Sequence, residues 1–418
     1  MDLNVVEARS AIESLRSGVP SRHAVAQLGT TQSDIKERFV EALHALKSGE
    51  AARPLVVSAN FGGGKSHLLN YLRTLAERER FVTSYVVVSP EMPLGNAHLV
   101  LKAIAENAKA PDRVGKALRA LTSDQRTDTA AFADLRLWAR GETTLDDRFR
   151  ALLHLYEASV GDDEFRLRIL DDFEGKPLLK TLVRQKLKEI GELGGYDLRA
   201  SPRNPLLAHD RIRLYARFVR ACGCHGLIVL FDELERVAKF SIRQRLLAYE
   251  EMGWWKEAAE QADSAILPVF AVTRNFKEET VTGGTRDEQR FQSSVLGYAQ
   301  DERDQRALAG IALFKDPYYF SLEPPDPEQM EEIKYRLKNI YEQAYGITVP
   351  ILPPDRQDVS TTVRSEIRRW ITQWDLHRHY PQYAARIETG EITFDASEIA
   401  DDTLPPDDDE DESAAAAV

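Results

Sequence analysis

The chain has 418 residues, of which 43% are hydrophobic and 29% are charged, a composition typical of a soluble globular protein. No apolar run approaches bilayer-spanning length, which excludes a bundle of membrane-spanning helices. The formal net charge is −12, but ten acidic side chains lie in residues 395–418, so residues 1–394 carry only −2.

Residues 395–418 contain no Lys or Arg and cannot bury a core, so we expect an acidic disordered tail. Such tails usually solubilise a chain; the alternative is competition with nucleic acid for a basic surface.

The first residues lack the charge-then-apolar order of a signal peptide. Cys222 and Cys224 lie beside a predicted buried strand. We therefore expect reduced cysteines and a cytoplasmic protein.

The chain begins with a region of helical periodicity. Apolar side chains recur at helical spacing through residues 5–47, and Gly18-Val19-Pro20 and Gly29-Thr30-Thr31 interrupt the pattern. We therefore predict several helices and assign residues 1–48 to an N-terminal helical segment.

A glycine-rich loop follows a short apolar strand predicted at residues 55–59. Its sequence has the spacing of a phosphate-binding loop, the Walker A motif, with alanine in place of the first glycine. Three consecutive glycines let backbone N–H groups turn toward phosphate oxygens, and the helix predicted to about residue 79 adds a partial positive charge. Lys65 is predicted to reach the β- and γ-phosphates, and Ser66 to ligate Mg²⁺. The residues assigned to this ATP site are Ala59, Asn60, Phe61, Gly62, Gly63, Gly64, Lys65, Ser66 and His67.

Residues 82–88 are rich in β-branched side chains and form the second predicted strand. More than a hundred residues then separate it from the next strand, and most of them show helical periodicity. We interpret residues 92–205 as a helical insertion and leave open whether it forms a subdomain.

A continuous apolar run at residues 226–231 ends in Asp232 and Glu233, the pattern of a buried parallel strand with a Walker B motif. Asp232 is predicted to hold Mg²⁺ directly or through water, and Glu233 to orient and polarise an attacking water. The alternative is a solvated acidic turn, which Glu235 would extend. The glycine loop upstream favours a site for ATP and Mg²⁺.

The helix predicted at residues 208–221 carries Arg213, Arg217 and Arg220 on one face. Such a stripe is either a phosphate-contacting surface for DNA or, more commonly, a solvated helix face. We favour the solvated face.

Two further strands are predicted at residues 266–273 and 319–322. Pro268 cannot donate a ladder hydrogen bond, and we expect it at the start of its strand. Two helices follow, one from about residue 331 to a stop near Gly346 and one around residues 363–374.

This order of elements resembles the AAA+ and STAND families of P-loop ATPases over roughly residues 50–90 and 220–380. The resemblance implies an α/β fold, with a parallel five-stranded P-loop sheet flanked by helices, a large helical insertion and a C-terminal helical lid. The ATPase core then comprises residues 49–91 and 206–323, and the lid with the C-terminal helices residues 324–394.

The same resemblance suggests residues that contact the γ-phosphate. Thr273 and Arg274 end the fourth strand, where such families place a polar sensor, with Asn275 as the fallback. Arg364 begins the second lid helix and is favoured over Arg368 and Arg369 as the lid arginine. An arginine supplied by a neighbouring subunit would require an oligomer, and none of the four available arginines stands out: Arg286, Arg290, Arg303 and Arg306.

The chain also resembles the BrxD ATP-binding proteins of BREX bacteriophage-defence systems. The resemblance rests on residues 8–13 with Gly18-Val19-Pro20, on residues 61–69, and on residues 363–370. It implies an ATPase that works beside other BREX components, including a helicase-like partner, and acts on DNA; a homo-oligomer stays open. The alternatives are a non-hydrolysing ATP-gated scaffold and an AAA+ DNA-binding protein of the origin-recognition type, whose C-terminal winged helix has little room here.

Overall fold

Five parallel strands form one sheet in the computed structural model, which describes residues 4–18, 21–123, 127–142, 145–198, 207–292, 302–351 and 362–381. The predicted acidic tail lies outside the described residues. The strands are β1 Leu55–Ala59, β2 Val82–Val87, β3 Leu227–Asp232, β4 Ile266–Thr273 and β5 Tyr319–Ser321. Their order across the sheet is β2-β3-β4-β1-β5. The predicted α/β class with a five-stranded parallel sheet is confirmed.

Sixteen α-helices occur within the described ranges. The first three are α1 Val5–Arg16, α2 Arg22–Leu28 and α3 Ser33–Lys47. Helix α4 Lys65–Arg78 follows β1. Between β2 and β3 lie α5 Ala97–Asn107, α6 Ala117–Thr122, α7 Ala130–Gly141, α8 Asp147–Ala158, α9 Asp163–Phe173, α10 Lys180–Glu189 and α11 Leu207–Ala221. The remaining helices are α12 Ile242–Ala259, α13 Asp287–Gln292, α14 Glu302–Ala312, α15 Pro327–Tyr345 and α16 Val363–His379.

Strand β4 separates β1 from β3, and this order determines which residues meet at the carboxyl edge of the sheet. Ala59 at the end of β1 pairs with Thr273 at the end of β4, and β3 pairs with the other side of β4. The loops after β1 and β3 therefore leave the same edge, where α/β proteins bind ligands. Pro268 is the third residue of β4 and not its first, so the predicted position was wrong by two residues. It is tolerated there because the pairing with β1 begins only at Val269.

Each face of the sheet is covered by helices. Buried residues of α3 and α4 form one apolar cluster with one face, including Phe39 and Leu72. Buried residues of the insertion are continuous with the other face, so the insertion adds a layer to the sheet's own core. Phe218 of α11 contacts the rings of Phe132, Tyr156 and Phe173, which come from three different insertion helices.

A third apolar cluster joins the first two helices to the last two. Buried side chains of α1 and α2 pack with those of α15 and α16, including Ile12, Leu337 and Trp370. Arg16 also forms an ion pair with Asp375 of α16, with 2.7 Å between Nη2 and Oδ2. The helical unit beside the sheet therefore contains segments from both ends of the chain. The segment boundaries predicted from the sequence stay a prediction.

Candidate functional site

The glycine loop adopts a conformation that depends on its glycines. Gly62 and Gly64 have φ angles of 75° and 93°, in the left-handed region that glycine enters without strain. Helix α4 begins directly after Gly64, and among the described residues no side chain caps its first turn. The unpaired N–H groups of that turn and the helix dipole therefore favour an anion beside the loop.

Lys65 lies at the base of this loop and is almost fully buried, with 8% of its surface exposed. Its Nζ is 3.4 Å from the carbonyl oxygen of Ala59, to which it donates, and 3.7 Å from Oε1 of Glu235. The ammonium group is thus held at the end of β1 by one carbonyl and one carboxylate. The sequence indicated the lysine, but it gave Glu235 only as the extension of an acidic turn.

Asp232 accepts three hydrogen bonds at the end of β3. The hydroxyl of Ser66 donates to Oδ2 over 2.8 Å, and the hydroxyl of Tyr85 on β2 donates to the same oxygen. The backbone N–H of Glu233 donates to Oδ1 over 2.8 Å. Burial and the charge of Asp232 raise the pKa of Tyr85, so its hydroxyl stays a neutral donor. Sequence reasoning missed Tyr85, because nothing in a buried strand indicates which of its side chains reaches a neighbouring strand end.

The hydroxyl and carboxylate at this point fit a magnesium ion. Mg²⁺ prefers oxygen ligands and is usually held by one or two protein groups together with substrate phosphates. Ser66 and Asp232 supply such oxygens within 2.8 Å of each other, next to the loop that favours an anion.

Glu233 has a left-handed backbone conformation, with φ 59° and ψ 33°. This conformation costs a residue with a side chain about 1–2 kcal/mol, and such strain is concentrated at functional sites. The Glu233 carboxylate forms an ion pair with Arg236, one turn further along the 3₁₀ turn Leu234–Lys239. The residue lines the cavity described next.

A cavity of about 280 Å³ lies between the carboxyl edge of the sheet and the helical unit of α1, α2, α15 and α16. Its polar lining includes the glycine loop and the β3 carboxylates. Its apolar lining comes from several elements: Leu15, Leu28, Leu322, Pro325, Ile333, Val363 and Ile367. Polar groups for phosphates together with apolar side chains for a flat ring suit a nucleotide.

The loop between α2 and α3 lines this cavity, although the sequence indicated it only as a helix break. The Nε2–H of His67 donates to the carbonyl oxygen of Gly29 over 2.7 Å. The Gln32 side-chain amide exchanges two hydrogen bonds with the backbone of Glu323, of 2.9 and 3.2 Å. Arg336 of α15 donates to the carbonyl oxygen of Leu28 over 2.8 Å. Hydrogen bonds thus join the loop and the end of α2 to three other parts of the chain: α4, the segment after β5, and α15.

Phe61 and Arg364 lie close to each other in the cavity lining. Phe61 is 78% exposed at the tip of the glycine loop, and the Arg364 guanidinium carbon lies 6.0 Å from the centre of its ring. This distance is at the limit of a cation–π contact. Both residues line the cavity, as do the predicted Asn60, Gly62, Gly63, Gly64, Lys65, Ser66, His67, Asp232 and Glu233.

At the polar end of β4, the Arg274 side chain contacts the segment after β5. Arg274 donates from Nη2 to the carbonyl oxygen of Leu322 over 2.8 Å and lies 3.6 Å from the carboxylate of Glu323. Thr273, Arg274 and Ala59 are not among the residues that line the cavity. The carbonyl oxygen of Ala59 nevertheless accepts a hydrogen bond from Lys65. A catalytic role for Thr273 and Arg274 stays a prediction.

The arginines of α11 form ion pairs within the chain. Arg217 and Arg220 both pair with Asp263, and Arg213 pairs with Asp210 over 3.1 Å. A DNA-contacting stripe on this helix therefore receives no support. Among the arginines considered for a neighbouring subunit, Arg303 pairs with Glu250 and Arg306 with Glu257, each over 3.0 Å, whereas Arg286 and Arg290 are exposed.

Comparison with known proteins identifies the family. Residues 4–124 and 158–372 match the family model of the BREX system ATP-binding protein BrxC/D. The match includes the glycine loop, the β3 carboxylates, α15 and the first ten residues of α16, and residues 125–157 of the insertion lie outside it. No curated protein and no solved structure matched the chain. None of the described helices is both long and apolar enough to cross a membrane. The chain belongs to the BREX system ATP-binding protein BrxC/D family.

Proposed function

We propose that this protein binds ATP–Mg²⁺ in the cavity between the sheet edge and the lid, and hydrolyses it slowly to switch conformation during BREX defence. The family is one of ATP-binding proteins, and hydrolysis goes beyond that finding. The observation that carries the proposal is the 2.8 Å hydrogen bond between Ser66 and Asp232, beside Lys65 and Glu233 in one cavity.

In this proposal the chain binds the triphosphate through fixed charges and dipoles. Lys65 and the N–H groups of the glycine loop neutralise the β- and γ-phosphates, and Ser66 and Asp232 hold Mg²⁺. The ion supplies charge neutralisation of the phosphate oxygens. Arg364 contacts the γ-phosphate from the lid, and apolar side chains of the cavity lining receive the base.

Glu233 positions the attacking water and polarises it, and Arg236 must release the carboxylate before it does so. No covalent intermediate is needed, since phosphoryl transfer is accelerated mainly by positioning and electrostatics. The dependence on Arg236 fits slow intrinsic turnover that a partner stimulates. We place that partner among other BREX components, including a helicase-like protein, with action on DNA in the cytoplasm; a homo-oligomer would allow Arg286 or Arg290 to reach a neighbouring site.

A second candidate is a scaffold that binds ATP without hydrolysing it. Two observations favour it: the Glu233 carboxylate is paired with Arg236, and the Arg274 side chain is directed to the end of β5. Such a protein would use ATP to hold the lid against the sheet and present the insertion to partners.

Phosphate release with and without double-stranded DNA separates the two candidates. Glu233→Gln keeps the shape of the side chain but cannot polarise water, so we expect about a 100-fold loss of turnover with ATP affinity kept. Glu41→Gln is the matched control, because Glu41 forms only an exposed ion pair with Arg38 on α3. Wild-type turnover by the Glu233 variant would remove its assigned role, and bound ATP without phosphate release under either condition would favour the scaffold.

A further inference from the structure

Glu235 is a third carboxylate at this site, and it faces the glycine-loop lysine. It lies in the 3₁₀ turn Leu234–Lys239, and its Oε1 is 3.7 Å from Nζ of Lys65. Its side chain is only 22% exposed, and among the described residues its Oε2 has no hydrogen-bond partner. A carboxylate in such surroundings is kept there chiefly by its cationic neighbour.

Burial and neighbouring carboxylates oppose the negative charge of Glu235. Burial raises the pKa of its carboxyl, and the charges of Asp232 and Glu233 act in the same direction, whereas Lys65 and a hydrogen bond from the residue's own backbone N–H lower it. The Lys65 ammonium is thus the cation that offsets the cost of this buried carboxylate, and it also donates to the carbonyl oxygen of Ala59.

We infer that Glu235 competes with the phosphates of the nucleotide for the Lys65 ammonium group and thereby weakens nucleotide binding. This inference rests on the proposed function, because it requires Lys65 to contact phosphate. A triphosphate that takes the ammonium leaves Glu235 as an unpaired carboxylate next to further negative charge, and this repulsion opposes binding. The carboxylate thus keeps the nucleotide exchangeable, which matters where product release limits turnover.

Removal of the charge at position 235 tests the inference. By titration calorimetry with ATP–Mg²⁺ and with ADP–Mg²⁺, Glu235→Gln is expected to lower both dissociation constants by about tenfold. Glu235→Asp keeps the charge in the cavity and should remain within about twofold of the wild type. Glu41→Gln removes a charge from an exposed ion pair on α3 and should change neither constant. Glu235→Ala removes the same charge without an amide and serves as the second variant if the glutamine variant does not fold.

The affinities of the Glu235 variants test the competition, and that of the Lys65 variant tests the phosphate contact. Tighter binding by the glutamine or alanine variant, with the aspartate variant unchanged, supports the competition. Unchanged or weaker binding by a folded variant without charge overturns it, since the carboxylate would then be neutral to the nucleotide or contribute to its site. Wild-type affinity in Lys65→Ala would instead remove the phosphate contact itself, and the proposed function would fail on that separate result.

Discussion

Asp232 connects several elements of the site through hydrogen bonds. Its two carboxylate oxygens accept from Ser66, Tyr85 and the N–H of Glu233, so donors from the glycine-loop helix, from β2 and from its own turn fix its orientation. Charge-assisted hydrogen bonds of this kind are about twice as strong as neutral ones. The carboxylate is therefore held in place beside Ser66 by the protein itself, which is the preorganisation that a metal and phosphate site requires.

His67 is a single buried residue that should make the stability of the fold depend on pH. Burial lowers the pKa of its imidazole below the ordinary 6.5, and its Nε2–H donates to Gly29. Because the folded pKa lies below the unfolded one, the unfolded chain binds more protons, and the contribution of His67 to stability is lost as the pH falls below 6.5.

We therefore expect the melting temperature of the wild type to fall between pH 7.5 and 5.5 by more than that of His67→Gln, which cannot gain a proton. An equal fall in the His67 variant would show that the buried imidazole does not titrate differently on unfolding.

Helices α12 and α14 approach each other closely. A Cβ added at Gly253 would lie 1.9 Å from the carbonyl oxygen of Arg306, and one at Gly310 would lie 2.0 Å from that of Tyr249. Glycine at both positions lets the two backbones approach, and the ion pairs of Arg303 and Arg306 with α12 lie along the same contact.

Gly310→Ala should therefore destabilise the protein by about 1–3 kcal/mol, because the helices must separate to admit the methyl group. Gly141→Ala at the end of α7 is the control, since its Cβ would lie within 4 Å of no atom in the part of the chain that the structure describes. Urea denaturation measures both variants. Equal stability of Gly310→Ala and Gly141→Ala would contradict the close approach of α12 and α14.

The elements themselves were predictable because their patterns are local. Buried parallel strands are apolar runs and α1 to α3 are interrupted by glycines, so β1, β4 and the helix breaks were predicted to within a residue or two. Partners that lie far apart in the chain leave no such pattern. The hydrogen bond from the Arg9 side chain to the carbonyl oxygen of Ala344, 335 residues away, is one example, and the sequence around neither residue indicates the other.

The candidate site was predicted only in part, because only some of its residues belong to local sequence patterns. The spacing of the glycine loop indicated Lys65 and Ser66, and an apolar run that ends in two carboxylates indicated Asp232 and Glu233. All four line one cavity. The loop at residues 29–32 lines the cavity through contacts with His67 and the segment after β5, and its sequence records neither.

At the scale of the whole molecule, the cavity lies where two bodies of the structure meet. One body is the sheet with its two helical layers, and the other contains α1, α2, α15 and α16. A nucleotide between them would contact Lys65 and Asp232 on one side and Arg364 and the loop after α2 on the other. Binding energy gained on both sides would favour the arrangement in which they are close, which is how nucleotide occupancy would change the position of the helical unit.

The central claim is that the glycine loop and Lys65 grip the phosphates of ATP. The most direct test is a calorimetric titration of ATP–Mg²⁺ into the wild-type protein and into Lys65→Ala, with circular dichroism to establish that both are folded. The account predicts saturable one-to-one binding by the wild type and no measurable binding by the variant. Equal affinity of the two proteins would contradict it.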